Sequence, residues 1–215
     1  MFRPAAALAL SLACSPASAH PHVFVDVDFE LIFDNDGRLA AIRTHWLYDA
    51  FYSEVVVEDG SRDKDGDGAL SPDELKGMQG FDSDWDPGSD GDLHVSQAGR
   101  SVSLGPPGDW TAEWTDGRIG SHHTRAFDPP IDMSKGTVSL QPYDVTFYFS
   151  YKVAGPVRFT GRSDCRSTLR EPDLGVARKA TWAALAKLPR DVSPEEAGWP
   201  KVGAYYAETI LVDCP

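Results

Sequence analysis

The stretch SRDKDGDGALSPDELKG, residues 61–77, spaces its acidic residues as the ligands of one calcium ion are spaced. A twelve-residue EF-hand loop takes its ligands from positions 1, 3, 5, 7, 9 and 12, with a glycine at position 6 for the sharp turn. Counted from Asp63, position 6 is Gly68, and position 7 needs only its backbone carbonyl. The sequence therefore predicts Ca²⁺ as a cofactor, with the ligands Asp63, Asp65, Asp67, Ala69, Ser71 and Glu74.

A second acidic stretch, DSDWDPGSDGDL, begins at Asp82 but departs from the same pattern. Its position 6 is Pro87, where glycine belongs, and its position 12 is Leu93, where glutamate belongs. We therefore predict a surface turn there, with weak cation binding as the alternative. Because EF-hand sensors usually work in pairs, one good loop favours a resident structural ion, bound with a Kd of about 10⁻⁴–10⁻³ M.

The histidines form a second group of candidate ligands. In the motif HPH, His20 would offer a free amine and an imidazole once a leader is removed, and such a pair chelates copper, nickel or zinc. Pro21 has no N–H, which excludes a site built from successive deprotonated amides. His22 begins the first predicted strand, His45 lies on its hairpin partner, and SHH at 121–123 supplies neighbours on another strand. The predicted Zn²⁺, Ni²⁺ or Cu²⁺ ligands are His20, His22 and His45; the alternative is that these are ordinary surface and sheet histidines.

The sequence favours a binding protein over an enzyme. It has no GxSxG on a strand–turn–helix pattern and no glycine-rich phosphate loop, since GPPG at 105–108 is a proline turn. The aromatic segment at 142–151 predicts a core strand, with Tyr143 and Asp144 as a candidate polar site at its start. An enzyme with a copper ion at His20 is a further alternative.

The first 19 residues have the pattern of a cleaved signal peptide. Arg3 gives a positive start, PAAALALSLAC is a short apolar run, and ASA at 17–19 is a small-residue cleavage site. The apolar run is too short to span a bilayer, and we expect no transmembrane segment in the mature chain. We predict a periplasmic protein with one mature domain, 20–215. The alternative is a lipoprotein anchored through Cys14, although SLA before it has serine where a large aliphatic residue is expected.

Charge and cysteines agree with export. Without Arg3 the mature chain has 19 basic and 33 acidic residues, a net charge of −14, which disfavours nucleic acid and anionic membranes as partners. Two cysteines remain, Cys165 and Cys214, and an even pair in an oxidising compartment predicts one disulfide. A metal-binding thiol pair is the alternative.

The residues between the candidate ligands alternate between strand and helix patterns. In HVFVDVDFELIF at 22–33, every second residue is apolar, which predicts a half-buried strand. Asp49 is placed to cap a helix, and Pro72 fits the first turn of another. The predicted order is strands 22–33 and 38–48, an EF-hand-like helix–loop–helix at 49–80, a run of short strands, a helix at 175–188, and a terminal helix or strand ending at Cys214. We therefore predict an α+β fold: an antiparallel sheet or sandwich with an inserted helix–loop–helix and C-terminal helices.

Several of these pieces occur together in a known family. AHPHVFVDVDFELIFDNDGRL, then Trp46, Tyr48 and Asp49, then DKDGDGALSPDEL, and later YDVTFYFSY and TILVDCP, closely resemble the bacterial family called domain of unknown function one thousand and seven. The resemblance runs from His20 to Pro215. It implies export, a single domain and an embedded EF-hand-like loop. It also implies a periplasmic component of an uncharacterised ABC-type transport system, often encoded beside nickel, cobalt or zinc transporters, and no established enzymatic activity.

Two functional hypotheses follow. The first is a periplasmic calcium-binding accessory component of a transition-metal transport system, with metal ions and a membrane metal transporter as partners. The second is a structural or interaction module that Ca²⁺ stabilises and that has no transition-metal role.

Overall fold

The computed structural model of the protein describes residues 20–58, 62–85, 89–194 and 196–215. The predicted signal peptide, 1–19, and Cys14 lie outside these residues. The strands are β1 (Val23–Phe33), β2 (Leu39–Tyr48), β3 (Leu93–Gln97), β4 (Arg100–Val102), β5 (Pro107–Thr115), β6 (Arg118–Ile131), β7 (Val138–Pro142), β8 (Phe149–Val153), β9 (Arg158–Thr160), β10 (Arg166–Arg170) and β11 (Thr209–Asp213). The helices are α1 (Ala50–Glu58), α2 (Pro72–Lys76) and α3 (Leu174–Leu185), with 3₁₀ helices at Met133–Lys135 and Gly203–Tyr205.

The first sheet has the strand order β5-β6-β2-β1-β8, and β9 also pairs with β1. The hairpin of β1 and β2 forms because alternate residues of both strands are apolar, and those residues are buried. Its register pairs Val27 with Trp46 and Asp28 with His45. The predicted antiparallel pairing holds for β5, β6, β2 and β1, but β8 and β9 run parallel to β1. The first sheet is therefore mixed.

The second sheet is antiparallel, in the order β10-β11-β7-β3-β4. The C-terminal segment forms the strand β11, which lies between β10 and β7 in this sheet. A disulfide joins Cys165, just before β10, to Cys214, just after β11, and so confirms the predicted pairing. Buried residues of both sheets, such as Val27 and Leu140, belong to one hydrophobic core.

The α+β prediction is confirmed, with sheets as the main component. The helix pair begins as predicted at Asp49, whose Oδ1 accepts a hydrogen bond from the Tyr52 N–H (2.9 Å) at the start of α1. The Ile119 N–H of β6 donates to the Ser53 hydroxyl of α1 (2.9 Å), which attaches the insertion to the first sheet. α2 has only five residues and ends at its C-cap, Gly77.

One local prediction is wrong. The segment 142–151 is not one strand, because the Asp144 carboxylate accepts from the N–H groups of Thr146 (2.9 Å) and Tyr148 (2.7 Å) and the chain turns between β7 and β8. Among the described C-terminal residues, α3 and the 3₁₀ helix at Gly203–Tyr205 are the helices, and the predicted terminal helix or strand is the strand β11. Asp82 lies in the turn that follows α2 and is half-buried, and its carboxylate accepts a hydrogen bond from the Tyr48 hydroxyl (2.8 Å). In the part of the chain that the structure describes, no helix is long and apolar enough to cross a membrane.

Candidate metal centre

The acid loop, residues 63–74, folds three of its aspartates toward one point. Asp63, Asp65 and Asp67 each offer a carboxylate oxygen, and these atoms lie within 4.8 Å of one another. The turn that brings them together needs Gly68, whose φ of +81° falls in the left-handed region that side chains disfavour. The Gly66 and Gly68 N–H groups donate to the Asp63 carboxylate at 2.7 and 2.8 Å. Backbone amides and acidic side chains thus curl the loop around a common centre.

Glu74 closes the loop from its far end. It lies in the first turn of α2, where Ser71 is the N-cap and the two residues form a capping box. Its Oε1 accepts from the Lys64 N–H (2.6 Å), and its Oε2 accepts from the Ser71 N–H (2.8 Å) and hydroxyl (2.6 Å). The carboxylate is therefore folded back onto the start of the loop, as position 12 of a calcium loop must be.

The electrostatics of the loop are those of crowded acids. Hydrogen bonds from the backbone, chiefly from the Gly68 N–H, lower the pKa of Asp63. Asp65 has a raised pKa, because it shares a hydrogen bond with Asp63 and lies near the charge of Asp67. Hydrogen bonds from Ser71 and Lys64 lower the pKa of Glu74. A divalent cation at the centre would relieve this repulsion, and an all-oxygen donor set suits Ca²⁺ better than a transition metal.

The second acidic stretch does not form a loop of this kind in its described part. Asp82 is held by Tyr48 and Ser121, and burial raises the pKa of its carboxyl. Asp84, two residues later, is exposed. Asp86 and Pro87 lie outside the described residues.

The N-terminal histidines lie together but without His45. The ring centroids of His20 and His22 are 4.8 Å apart, and His20 stacks on Trp199 with a centroid distance of 3.7 Å. His45 pairs with Asp28, six residues along β1 from His22, or roughly 20 Å at strand spacing. The predicted grouping of His45 with His20 and His22 is therefore wrong, because the register of the β1–β2 hairpin places His45 opposite Asp28, in the middle of β1.

His45 instead faces His122 and Glu113 on the outer face of the first sheet, the face turned away from the core. His45 and His122 are directly paired across β2 and β6, and their rings stack with a centroid distance of 4.2 Å. The Glu113 carboxylate of β5 lies 3.0 Å from His45 Nε2 and 3.5 Å from His122 Nε2. Burial and the adjacent His45 ring lower the pKa of His122, which favours the neutral imidazole. We call His45, Glu113 and His122 the outer cluster.

His123 points the opposite way, because neighbouring residues of a strand face opposite sides of a sheet. It is fully buried beside Trp46 and Trp85, and among the described residues neither of its ring nitrogens has a hydrogen-bond partner. Burial lowers its pKa to about 4, so this histidine stays neutral. Of the SHH residues at 121–123, only His122 can join the outer cluster.

Sequence reasoning missed Glu113, although a signal for it exists. The turn Asp116–Gly117 joins β5 to β6 as a two-residue hairpin, the tightest common type. Counting outward from such a turn pairs Thr115 with Arg118 and places Glu113 opposite Gly120, two residues from His122 and on the same face. Tyr143 and Asp144, the other polar candidates of the sequence, lie in the turn after β7 and not on the strands that carry this cluster.

Comparison with known proteins agrees with the resemblance of the sequence. The model of the family DUF1007, described as a protein of unknown function, matches residues 5–214. No curated protein matches the chain.

Proposed function

The chain belongs to the DUF1007 family, and we propose that it is an exported calcium-binding protein whose acid loop holds one Ca²⁺ ion. The observation that carries this proposal is the convergence of Asp63, Asp65 and Asp67 within 4.8 Å, in a loop whose spacing matches an EF-hand. Glu74 adds up to two oxygens from the far end, and the carbonyl of Ala69 and the hydroxyl of Ser71 occupy the remaining ligand positions. Magnesium, which demands a tighter octahedron and keeps its waters, would use fewer of these groups.

The position of the loop supports a structural role for the ion. A cleft of about 630 Å³ separates the loop from the hairpin of β5 and β6, and it is lined by Asp63 and Gly66 on one side and by Trp114 and Gly117 on the other. Glu54 of α1 also lines it. An ion that fixes the acid loop therefore fixes the insertion beside this hairpin. This arrangement fits a permanently bound structural ion better than a calcium sensor, because a sensor needs an element that moves when the ion binds.

Calcium titration of the mature protein, followed by thermal unfolding and by calorimetry, tests the proposal. We expect one equivalent of Ca²⁺ to bind and to raise the unfolding temperature. Glu74→Gln should abolish both effects, because it removes the charge that closes the loop. Asp73→Asn is the matched control: Asp73 is the adjacent acid, its side chain is 89 % exposed and pairs with Lys76, and it occupies no ligand position. Equal calcium affinity of Glu74→Gln and the wild type would refute the site.

We also propose that the protein is an accessory component of a transition-metal transport system. The structural observation that favours it is the placement of His20 beside His22 at the start of the mature chain, next to Trp199 and Tyr148. The test is elemental analysis of protein purified from the periplasm with its authentic N-terminus, compared with His20→Ala, His22→Ala. Equal zinc, nickel and copper content in both proteins would remove the N-terminal site. No transition metal in either would leave the interaction module as the better hypothesis.

A further inference from the structure

Four neighbouring strands align metal-binding side chains across the outer face of the first sheet. In register, β6 contributes His122, β2 contributes His45 and β1 contributes Asp28. Glu113 of β5 reaches the same point diagonally, since it pairs with Gly120, two residues before His122 on β6. The three nearest ligand atoms of the outer cluster all lie within 4.8 Å of one another. His45 is 68 positions from Glu113 and 77 from His122 in the sequence, so only the sheet brings it to them.

Gly120 makes room for the cluster. A Cβ atom built on Gly120 would lie 2.9 Å from Glu113 Cγ, 3.0 Å from Glu113 Oε1 and 3.2 Å from His45 Nε2. Any larger residue would occupy the space in which the carboxylate approaches the two imidazoles. The absence of a side chain at this position is therefore what allows the three ligands to converge.

Asp28 lies on the other side of the His45 ring from Glu113. Its Oδ2 lies 3.6 Å from His45 Nδ1, while Nε2 of the same ring faces Glu113. Metal-binding histidines commonly turn one nitrogen to the metal and the other to a carboxylate, which fixes the tautomer and the ring orientation. His45, with Asp28 beside Nδ1 and the outer cluster beside Nε2, has this arrangement.

We propose that His45, His122 and Glu113 form a second metal site that binds a divalent transition metal of the zinc class, with Asp28 orienting His45. Two imidazoles and one carboxylate are a common ligand set for zinc sites that keep one position open, whereas calcium takes oxygen ligands only. Tetrahedral zinc ligands lie about 3.3 Å from one another, so side-chain rotations that close the present gaps complete the site.

The exposure of the cluster indicates exchange rather than permanent storage. The side chains of His45, His122 and Glu113 are 17, 25 and 38 % exposed, so solvent reaches the open position. A site of this kind can accept a metal ion and pass it on. The outer cluster shares no residue with the acid loop and can bind a metal without calcium. Its existence is independent of the proposed transport function, and only its biological purpose rests on that function.

Zn²⁺ titration of the full mature chain against a chromogenic chelator tests this site. His20→Ala, His22→Ala serves as the background, so that the N-terminal histidines contribute nothing. We expect this background to bind one equivalent of Zn²⁺. In that background His45→Ala and His122→Ala should each weaken binding at least 100-fold, because loss of a direct ligand costs more than the 10–100-fold that loss of a supporting group costs. Glu113→Gln should weaken it at least tenfold, and Asp28→Asn about tenfold.

His94→Ala is the matched control. His94 is a strand histidine of similar exposure, 21 %, with its own carboxylate, Asp90, at 3.4 Å, and it lies on the second sheet. Its removal should leave zinc affinity unchanged. Retained calcium binding and an unchanged circular dichroism spectrum show that each variant is folded, and His45→Gln provides a second variant if His45→Ala is not.

Three results would overturn the proposal: no zinc binding by the background, equal affinity in the His45, His122 and Glu113 variants, or an equal loss in His94→Ala. If zinc binds the wild type but not the background, the N-terminal histidines hold the metal; the transport proposal then stands and the outer site falls. Failure of the outer site leaves the calcium titration unaffected, so the two proposals fail separately.

Discussion

The acid loop and the outer cluster both gather side chains that can hold a cation, but over very different distances along the chain. All six predicted calcium ligands lie within twelve residues, and one glycine turn is enough to bring the aspartates together. The outer cluster joins residues of three strands, with His45 and Glu113 separated by 68 positions. Spacing along the sequence therefore specifies the first site, whereas sheet register specifies the second.

The same contrast appears among the aspartates of the protein. Asp63 of the loop is half-buried and Asp65 is exposed, and both interact mainly with their neighbours in sequence. Asp92 is paired with a residue 59 positions away, since the Tyr151 hydroxyl donates to its Oδ2 at 2.7 Å. Burial raises the pKa of Asp92 from 3.8 to about 6. Burial by the surrounding fold thus changes the pKa of an acid in a way that the sequence does not display.

The largest effect is expected from Asp92→Asn, which removes this half-buried ionisable group. Folded Asp92 keeps its proton up to about pH 6, whereas the unfolded chain loses it near pH 4. The folded state therefore binds more protons in this window, and the group makes the wild type less stable as the pH rises. A difference of about two pKa units corresponds to about 3 kcal/mol. Relative to the wild type, the variant should gain about that much between pH 4 and pH 7.

Urea unfolding at a series of pH values, with both proteins in the same buffers, measures this difference, because all other groups cancel. Parallel stability curves for the two proteins would show that Asp92 titrates normally in the folded state. Burial of the Asp92 carboxyl would then have no net effect on its pKa.

Calcium removal is the next largest effect and tests the local site. A ligand present at 100 times its Kd stabilises the folded state by about 2.7 kcal/mol. For a chain of this length that corresponds to about 5–11 °C in unfolding temperature. A calcium chelator should therefore lower the unfolding temperature of the wild type by this amount and leave that of Glu74→Gln unchanged. An equal decrease in both proteins would place the calcium elsewhere.

Gly120→Ala tests the remote site without removing a ligand. The added methyl group would displace the Glu113 carboxylate, so zinc affinity at the outer cluster should fall about tenfold, or about 1.4 kcal/mol. The φ angle of Gly120 is not in the left-handed region, so alanine fits the backbone. Calcium affinity should stay the same, because the acid loop is a separate site. Unchanged zinc affinity would show that the space above Gly120 does not matter to binding.

The contrast also explains which features the sequence predicts. Strand β1, the Asp49 cap, the disulfide and the acid loop follow from alternation, from a capping residue, from cysteine arithmetic and from ligand spacing, all of which are visible locally. The parallel pairing of β8 with β1 is not visible, because nothing in either strand encodes the direction of a remote partner. The turn at 143–148 was not predicted, because the aromatic residues of this segment are typical of a strand. Asp144 is nevertheless the type of residue that ends strands.

The smallest effect is expected from Ser71→Ala, because Ser71 serves the acid loop in two ways. It is the N-cap of α2, where its Oγ accepts from the Glu74 N–H and donates to Glu74 Oε2, and it also occupies ligand position 9. Loss of such a cap costs about 1 kcal/mol, whereas position 9 often reaches the ion through water and contributes little more. The loss should therefore be about the same with calcium as with chelator, measured by urea unfolding. Ser71→Thr, which keeps the hydroxyl, is the control and should stay near the wild type. A loss of stability that appears only in the presence of calcium would show that Ser71 contacts the ion directly. The capping hydrogen bonds of Ser71 would then contribute nothing without the ion, contrary to the local origin of the acid loop.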